Sequence, residues 1–336
     1  MTKRTAAAAL VLLVWVSHAH AWISLGHKVV AEIAWRQLSP EQRTSIVEIL
    51  RRHPRFDKDF AARMDDNALT GDKSIEDHWI FLQAATWPDI IRKDKDYDRP
   101  EWHYIDFPQF LDDSDRAAFA GKLPVNISTD YPSALPRDKY NVVQAIALCR
   151  EMLASKAGPD VKAQAYCWLM HLVGDIHQPL HCTALFDVNH FPKGDKGGNE
   201  IKLVKGKNLH SLWDGLLGRA SYIRQVDTAA LELSNKKRFG DVWATATKEM
   251  SPAEWAKDGH NVCEQTVYND TILAAVRNTP MGRDVEPMEL PEDYFTQAGD
   301  MARRRVLMAG LRLAELLKGN GAERVQRPRR ALQTEK

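Results

Sequence analysis

The stretch AYCWLMHLVGDIHQPLH, residues 165–181, joins an apolar segment to several side chains that can bind metal. Its first half is almost entirely apolar, as expected for a helix buried on most of its sides. Gly174 and Pro179 predict that this helix ends near residues 175–177 and that the chain then turns. The stretch therefore predicts a core helix whose C-terminal end delivers polar groups to a site.

The spacing of those polar groups favours a metal site. His171 and Asp175 are four residues apart, so on a helix they project from one face, where imidazole and carboxylate can share a zinc ion. His181 follows the predicted turn and can approach the same cavity from another direction. One such pair is weak evidence by itself, because most pairs with this spacing lie on solvated helix faces.

Helical periodicity dominates the rest of the chain. Residues 24–38 carry apolar side chains at three- and four-residue spacing, and Ser39 and Pro40 form a capping serine followed by a proline that opens the next helix. Strand signals are sparse, and the best of them is residues 197–210, where a Lys-Gly-Lys turn predicts a small β-hairpin. Further helices are predicted at 73–86, 138–155, 159–176, 241–249, 252–266 and 291–317. These patterns predict a single, compact all-α domain of about ten helices.

Composition limits the classes of function. The 336 residues are 44% hydrophobic and 27% charged, with a formal net charge of +1. A near-neutral chain of this kind argues against a protein that holds nucleic acid through a broad basic surface. It is compatible with an enzyme that captures phosphate groups at one small site.

The N-terminus has the pattern of a secretory signal peptide. Residues 1–21 contain a basic start, an apolar run and the ending Ala-His-Ala. The apolar run is too short to span a membrane comfortably, so cleavage after Ala21 is favoured over an anchor. We expect an exported protein, periplasmic or secreted, with a mature domain at 22–318 that begins at Trp22. The basic tail, 319–336, is expected to be disordered.

The chain contains four cysteines, and an exported protein meets an oxidising environment. An even number of cysteines there suggests disulfides, and four cysteines allow three pairings. The sequence does not choose among these pairings. The residues concerned are Cys149, Cys167, Cys182 and Cys263.

Four further stretches add candidate metal ligands to the first. NLHSLWD, residues 208–214, repeats the four-residue spacing with His210 and Asp214. TWPDIIR, residues 86–92, offers Asp89, and EWHYID, residues 101–106, offers His103. The predicted mature terminus, WISLGH, offers the α-amine and carbonyl of Trp22 together with His27.

Taken in order, these motifs resemble those of the trinuclear-zinc, single-strand-specific nucleases. The resemblance is carried by the terminal Trp, GH, WPD, HYID, HxxGDxHQPLH, GGN and NLHxxWD, and it extends to the closing helical stretch AGLRLAELL. These proteins are the type I or S1/P1 nucleases, relatives of zinc-dependent phospholipase C. The resemblance implies the all-α fold shared by these two groups.

The resemblance implies three Zn²⁺ ions and assigns their ligands. The first ion would be held by Asp89, His103, His171 and Asp175, and the second by His181, His210 and Asp214. The third would be held by the Trp22 amine and carbonyl, His27 and the other carboxylate oxygen of Asp175. His177, although it lies inside the same stretch, is not a ligand in this pattern, and we expect it to support the site or to lie on the surface.

The resemblance also implies the reaction. Asp89, Asp175 and Arg92 form the catalytic set, in which the metals activate water for attack on phosphorus and Arg92 stabilises charge on the phosphoryl oxygens. Tyr104 and Asp106 match the positions that bind a base, by stacking and by an edge contact. We expect an endonuclease on single-stranded DNA and RNA that leaves 5′-phosphates and also acts on 3′-nucleotides. The protein is expected to be a monomer without a membrane anchor.

Two alternatives remain open from the sequence. One is a zinc-dependent phospholipase C of the same fold, although Asp214 and the HYID motif favour the nuclease branch. The other is a zinc-binding export protein without catalytic activity. This alternative is disfavoured because none of the candidate ligands is missing and because Arg92 is present.

Overall fold

The computed structural model describes residues 22–64, 71–219 and 222–319. The predicted signal peptide, residues 1–21, and the tail beyond Gly319 lie outside the described residues. The predictions made for them therefore stay predictions.

Helices make up most of the described residues, and the all-α prediction is confirmed. Fourteen α-helices are found in this part of the chain. They are α1 (Ser24–Gln37), α2 (Pro40–Leu50), α3 (Phe56–Asp59), α4 (Lys73–Ala84), α5 (Trp87–Ile90), α6 (Asp113–Ala118), α7 (Val142–Ala154), α8 (Pro159–Asp175), α9 (Leu209–Asp214), α10 (Ile223–Leu233), α11 (Lys236–Thr245), α12 (Pro252–Val262), α13 (Asp270–Asn278) and α14 (Glu292–Leu317).

Local chemistry accounts for where several helices begin. Ser39 caps α2 as predicted: its hydroxyl accepts a hydrogen bond from the backbone of Gln42, whose side chain accepts one from the Ser39 backbone. Helix α7 begins at Val142, later than predicted, because Asn141 and Gln144 form the same reciprocal cap there. The helix predicted at 241–249 begins earlier, at residue 236, where Asn235 caps α11.

Helix α8 runs through the main hydrophobic core. It packs against α1, α2, α4, α5, α7 and α14, and every residue from Cys167 to Asp175 is buried. Helices α1 and α14 pack along each other on one side of it. Because α8 is enclosed in this way, the polar side chains at its C-terminal end lie inside the protein. None of the described helices combines the length and the apolar run that a bilayer crossing requires.

The strands lie where the sequence did not predict them. Strand β1 (Phe107–Phe110) pairs in parallel with β2 (Thr183–Phe186), with Phe107 opposite Thr183. Two backbone hydrogen bonds continue the pairing upstream, from Ile105 N to the His181 oxygen at 2.8 Å and from Phe107 N to the Cys182 oxygen at 3.1 Å. This pairing brings the segments of His103 and His181 side by side.

The hairpin predicted at residues 197–210 is reduced to one antiparallel bridge between Lys202 and Asn208. Gly206 turns the chain there with a φ of 117°. Leu203 bridges Met288 instead of extending a hairpin strand, and these two residues belong to the same hydrophobic cluster.

The expected disulfides are not found among the described residues. All four cysteines are free thiols, and all are buried. The Cys182 Sγ donates to the Ile176 carbonyl oxygen at 3.2 Å, and burial raises the pKa of this thiol to about 12. Protonated, buried thiols of this kind pack as small apolar side chains. Cys167, although it lies one turn before His171, belongs to the core.

Candidate metal centre

The C-terminal end of α8 is the centre of the site. His171 and Asp175 project from its last two turns and are fully buried. Four other segments converge on this point: the start of α1, the short helix α5, a 3₁₀ turn at Pro100–His103, and a second 3₁₀ turn at Pro179–His181 that precedes β2. Helix α9 completes the enclosure. Every candidate ligand except Trp22, which lies two residues before α1, is thus held by a regular element or its end.

The first group consists of Asp89, His103, His171 and Asp175. Asp175 Oδ2 lies 2.9 Å from His103 Nδ1 and 3.3 Å from His171 Nε2. His171 Nε2 lies 3.8 Å from Asp89 Oδ1 and 3.2 Å from His103 Nδ1. The donor atoms of Asp89, His103 and His171 all lie within 4.8 Å of one another, close enough to hold one metal ion, and Asp175 adjoins them.

The second group consists of His181, His210 and Asp214. The two imidazole rings lie 4.9 Å apart between centroids, and His210 Nε2 lies 3.5 Å from Asp214 Oδ2. The side-chain amide of Gln178 donates to the other oxygen, Asp214 Oδ1, at 2.9 Å. Asp214 therefore presents one oxygen toward the histidines while Gln178 holds the other.

The third group lies at the start of the described chain. His27 Nε2 is 3.3 Å from Asp175 Oδ1, and the His27 ring stacks on His171 with 3.9 Å between centroids. Asp175 thus directs one oxygen to His27 and the other to the first group. Trp22 is fully buried, and its indole donates to the Gly174 carbonyl at 3.0 Å. This contact fixes the first described residue next to His27.

Three histidines are oriented by hydrogen bonds from their other ring nitrogen. The Nδ1 atoms of His171, His181 and His210 donate to backbone carbonyl oxygens of Ala85 at 2.8 Å, His103 at 2.6 Å and Gly197 at 2.6 Å. A proton on Nδ1 leaves the Nε2 lone pair facing the carboxylates. Carbonyl partners of this kind are typical of histidines that bind metal.

The donor atoms of the site fit a bound cation. Several of its nitrogen and oxygen atoms are buried without a hydrogen-bond partner among the described residues, and buried polar groups are rarely left in this state. Imidazole nitrogens and carboxylate oxygens together suit zinc and related transition metals. The atoms are both ring nitrogens of His27, Nε2 of His103 and His181, and Oδ1 of Asp175.

The electrostatics of the site favour neutral imidazoles. Burial lowers the pKa of His27, His103, His171 and His181 to about 4, so these side chains are uncharged near neutral pH. The pKa of Asp214 is raised well above its usual value, mainly by burial and further by the charges of Asp89 and Asp175. Three carboxylates enclosed with neutral histidines form a site that cations would stabilise.

Arg92 lies at the edge of the site. Its Nε and Nη2 atoms donate to Asp89 Oδ1 at 2.8 Å and 2.6 Å. Burial would raise the pKa of Asp89, but His171 and Arg92 outweigh it and hold this pKa well below its usual range. The guanidinium is thereby fixed beside the first group while it also lines the adjoining pocket.

A pocket of about 380 Å³ adjoins the candidate ligands. His103, His181 and His210 line this pocket together with Tyr104 and Asp106. Tyr104 is 37% exposed, which is unusual for a large aromatic side chain beside a buried centre. Burial, with a smaller contribution from the charge of Asp195, raises the pKa of Asp106 to about 7. The two residues assigned to base binding therefore face the same space as the candidate ligands.

The structure adds residues that the sequence did not single out. Gln178 holds Asp214, as described above, and its Oε1 accepts from the backbone of Leu180 at 2.6 Å. The position of Gln178 within HQPLH could have suggested it. Two lysines, Lys193 and Lys196, line the pocket from a loop, and no local pattern indicated this.

His177 is buried away from the metal groups. Its Nδ1 donates to the Val173 carbonyl at 2.7 Å, and its Nε2 lies 2.8 Å from Arg312 Nη1. It belongs to none of the three groups of candidate ligands. The expectation that it is not a ligand agrees with this position, and burial rules out the surface role.

Comparison with known proteins places the chain in a family. The S1/P1 nuclease family model matches residues 22–320. Endonuclease 2 of Arabidopsis thaliana is 23% identical over 329 residues, covering 92% of this chain and 94% of the relative. Nuclease S1 of Aspergillus oryzae is 23% identical and covers 89% and 91%, and nuclease P1 of Penicillium citrinum is 24% identical over 57% of each chain. The chain therefore belongs to the S1/P1 nuclease family and is a nuclease, a hydrolase of phosphodiester bonds.

Proposed function

We propose that this nuclease is an exported, zinc-dependent endonuclease of single-stranded DNA and RNA. It would leave 5′-phosphates and would also remove phosphate from 3′-nucleotides. The observation that carries the proposal is a pocket that His103, His181 and His210 line together with the exposed Tyr104, beside three clustered histidine–aspartate groups.

The proposal assigns three zinc ions to the three groups. Asp89, His103, His171 and Asp175 would hold the first ion, and His181, His210 and Asp214 the second. Trp22, through its amine and carbonyl, would hold the third with His27 and Asp175. Zinc in such sites supplies Lewis acidity and lowers the pKa of water so that hydroxide is available near neutral pH.

The protein's own groups would prepare this chemistry. His171 and His181, neutral and fixed by carbonyl partners, offer lone pairs without first losing a proton. The two carboxylate oxygens of Asp175 face different ligands: Oδ1 faces His27 and Oδ2 faces His103. Arg92, held by Asp89, lines the pocket, where its guanidinium would stabilise negative charge on the phosphoryl oxygens.

The pocket supports recognition of an unpaired base. Tyr104 is exposed enough to stack on a base, and Asp106 can contact the base edge. The candidate ligands are nearly inaccessible, with His103, His181, His210 and Asp214 no more than 5% exposed. Only a strand that bends inward would reach them, which favours single strands over a stiff duplex.

The proposal also covers location and domain organisation. A leader at 1–21 would be cleaved to give a mature terminus at Trp22, with one domain at 22–318 and a disordered tail. The buried position of Trp22 beside His27 supports this cleavage site, because both a terminal amine and the indole would then be used. We propose a periplasmic or secreted monomer.

The experiment is a substrate panel with the purified mature protein, with and without a chelator. The panel contains single-stranded DNA, RNA, duplex DNA, 3′-mononucleotides and phosphatidylcholine. We expect chelator-sensitive cleavage of single strands and 3′-nucleotides, 5′-phosphate ends, and about three zinc ions per chain by elemental analysis. Preferential cleavage of duplex DNA or of phosphatidylcholine would contradict the proposal.

A further inference from the structure

Two lysines line the pocket that adjoins the candidate metal ligands. Lys193 and Lys196 lie on the loop after β2, and both are exposed, with the Lys196 side chain 72% exposed. Lys196 pairs with Glu200 at 2.7 Å. An exposed pair of this kind contributes little stability, so its ammonium can exchange partners readily.

A buried carboxylate anchors the loop between the two lysines. Asp195 is fully buried, and its Oδ1 and Oδ2 accept from the Leu185 backbone at 3.0 Å and the Tyr268 hydroxyl at 2.8 Å. The Asp195 backbone N–H also donates to the Leu185 oxygen at 3.0 Å. The two lysines are thus carried by a loop tied to strand β2, which limits how far their backbone can move.

The backbone after Lys196 is in turn fixed to the second group of ligands. The Gly197 carbonyl accepts from His210 Nδ1 at 2.6 Å. A Cβ atom at Gly197 would lie 2.3 Å from the Leu180 carbonyl oxygen, so the chain passes close to the turn that carries His181. Lys196 has a positive φ of 58°, a conformation that costs energy for a residue with a side chain. The loop therefore holds the backbone of Lys196 in a defined position relative to the ligands.

The two lysines add positive charge to the pocket, and this charge favours the binding of a second anion. Arg92, paired with Asp89, would act on the scissile phosphate, which would lie against the candidate metal ligands. A nucleic acid strand carries a further negative charge at every neighbouring nucleotide. We propose that Lys193 and Lys196 form a subsite for the phosphate next to the scissile one, so that the enzyme reads two consecutive phosphates. This inference rests on the proposed function of the same site.

The subsite predicts a preference that depends on phosphate number. The dinucleotide TpT offers only the scissile phosphate, whereas the trinucleotide TpTpT offers a second. We expect the wild-type holoenzyme to show a kcat/KM about tenfold higher on TpTpT than on TpT, the gain expected from two exposed charge contacts. Replacing one phosphate of TpTpT by an uncharged methylphosphonate, at either position, should remove that gain.

The test compares the wild type with the double variant Lys193→Gln/Lys196→Gln on these substrates. We expect the variant to show less than about a twofold difference between TpTpT and TpT. Its affinity for a thymidylate decamer should also depend less steeply on salt, by about 1.4 in the log–log slope for two lost contacts. The matched control is Lys156→Gln/Lys248→Gln, which removes the same charge from exposed lysines that do not line the pocket.

The outcomes distinguish a failure of the lysine subsite from a failure of the proposed nuclease function. If the wild type cleaves TpT and TpTpT but the pocket variant keeps the full preference, the lysine subsite is wrong and the nuclease proposal stands. An equal loss of preference in the control variant would assign the effect to net charge and would also overturn the subsite. If the wild type cleaves neither substrate nor any single strand, the proposed function itself fails.

Discussion

Arg312 Nη1 donates to His177 Nε2 at 2.8 Å, and both side chains are buried. The Arg312 Nε also donates to the Ala246 carbonyl at 2.8 Å, and its guanidinium lies over the Trp255 ring. Burial first, and then the charges of Arg312 and Arg305, hold the pKa of His177 well below its usual value. This neutral histidine therefore links α14 to the turn between Asp175 and His181.

Arg312→Met should destabilise the protein by about 3 kcal/mol, because two buried acceptors would lose their donor. The free energy of unfolding in urea measures this. Arg303→Met, on the same helix, is the control: its side chain is 33% exposed, and we expect a loss under about 1 kcal/mol. Equal losses in the two variants would mean that the His177 contact contributes nothing specific.

Gly174→Ala should disrupt the third candidate metal group. A Cβ atom at residue 174 would lie 2.7 Å from His27 Nδ1 and 3.0 Å from His27 Cε1, so the ring would have to move. We expect elemental analysis to find about one zinc fewer per chain, with activity on single-stranded DNA reduced at least about tenfold. Gly240→Ala is the control, since nothing lies within 4 Å of its Cβ position and alanine favours a helix. Full zinc content in Gly174→Ala would contradict the assignment of His27.

A protein that retains Ala21 should bind the third zinc poorly. The proposed chelate needs a free amine on Trp22, and one additional residue converts that amine into an amide. We expect about one zinc fewer per chain and a large loss of activity on single-stranded DNA, with recovery once the additional residue is removed by a protease. Full activity with Ala21 in place would refute the terminal chelate.

Tyr104→Ala should weaken binding of single strands. If Tyr104 stacks on a base, its loss costs about 1–3 kcal/mol, which corresponds to a rise of roughly 5- to 150-fold in the Kd for a thymidylate oligonucleotide. Tyr222→Ala is the control, because this tyrosine is 66% exposed and does not line the pocket. Comparable effects in both variants would argue against stacking at Tyr104.

His53→Asn should flatten the dependence of stability on pH. His53 is 3% exposed, its Nδ1 accepts from the Arg55 backbone at 3.1 Å, and burial lowers its pKa to about 4. Between pH 6.5 and 4 the unfolded chain takes up a proton on this histidine and the folded protein does not, so acid favours unfolding there. Asparagine keeps an acceptor without titrating.

The wild type should therefore lose about 2 kcal/mol more than His53→Asn between pH 7.5 and pH 4.5. Urea unfolding of both proteins in the presence of chelator measures the difference, since metal loss would otherwise add its own pH dependence. Parallel curves for the two proteins would show that His53 does not titrate differently in the folded and unfolded states.

Much of the fold could be predicted because its signals are local. Helical periodicity gave α1, α2 and α8 nearly to the residue, and the Ser39 cap follows from hydrogen bonds within one turn. The parallel pairing of β1 with β2 could not be predicted, because these four-residue strands are more than seventy residues apart and depend on the packing around them. The disulfide expectation was wrong for a similar reason, since counting cysteines does not show where their side chains point.

The sequence by itself determined the candidate ligands and the family, because the ligand residues lie in short motifs with fixed spacing at helix ends. It did not determine which oxygen of Asp175 faces His27 and which faces His103. The HQPLH motif alone did not show that Gln178 holds Asp214, and the sequence gave no sign that Arg312 holds His177 or that Lys193 and Lys196 border the pocket. Only the tertiary structure decided these contacts, because they join side chains from elements distant in the chain and depend on how those elements pack.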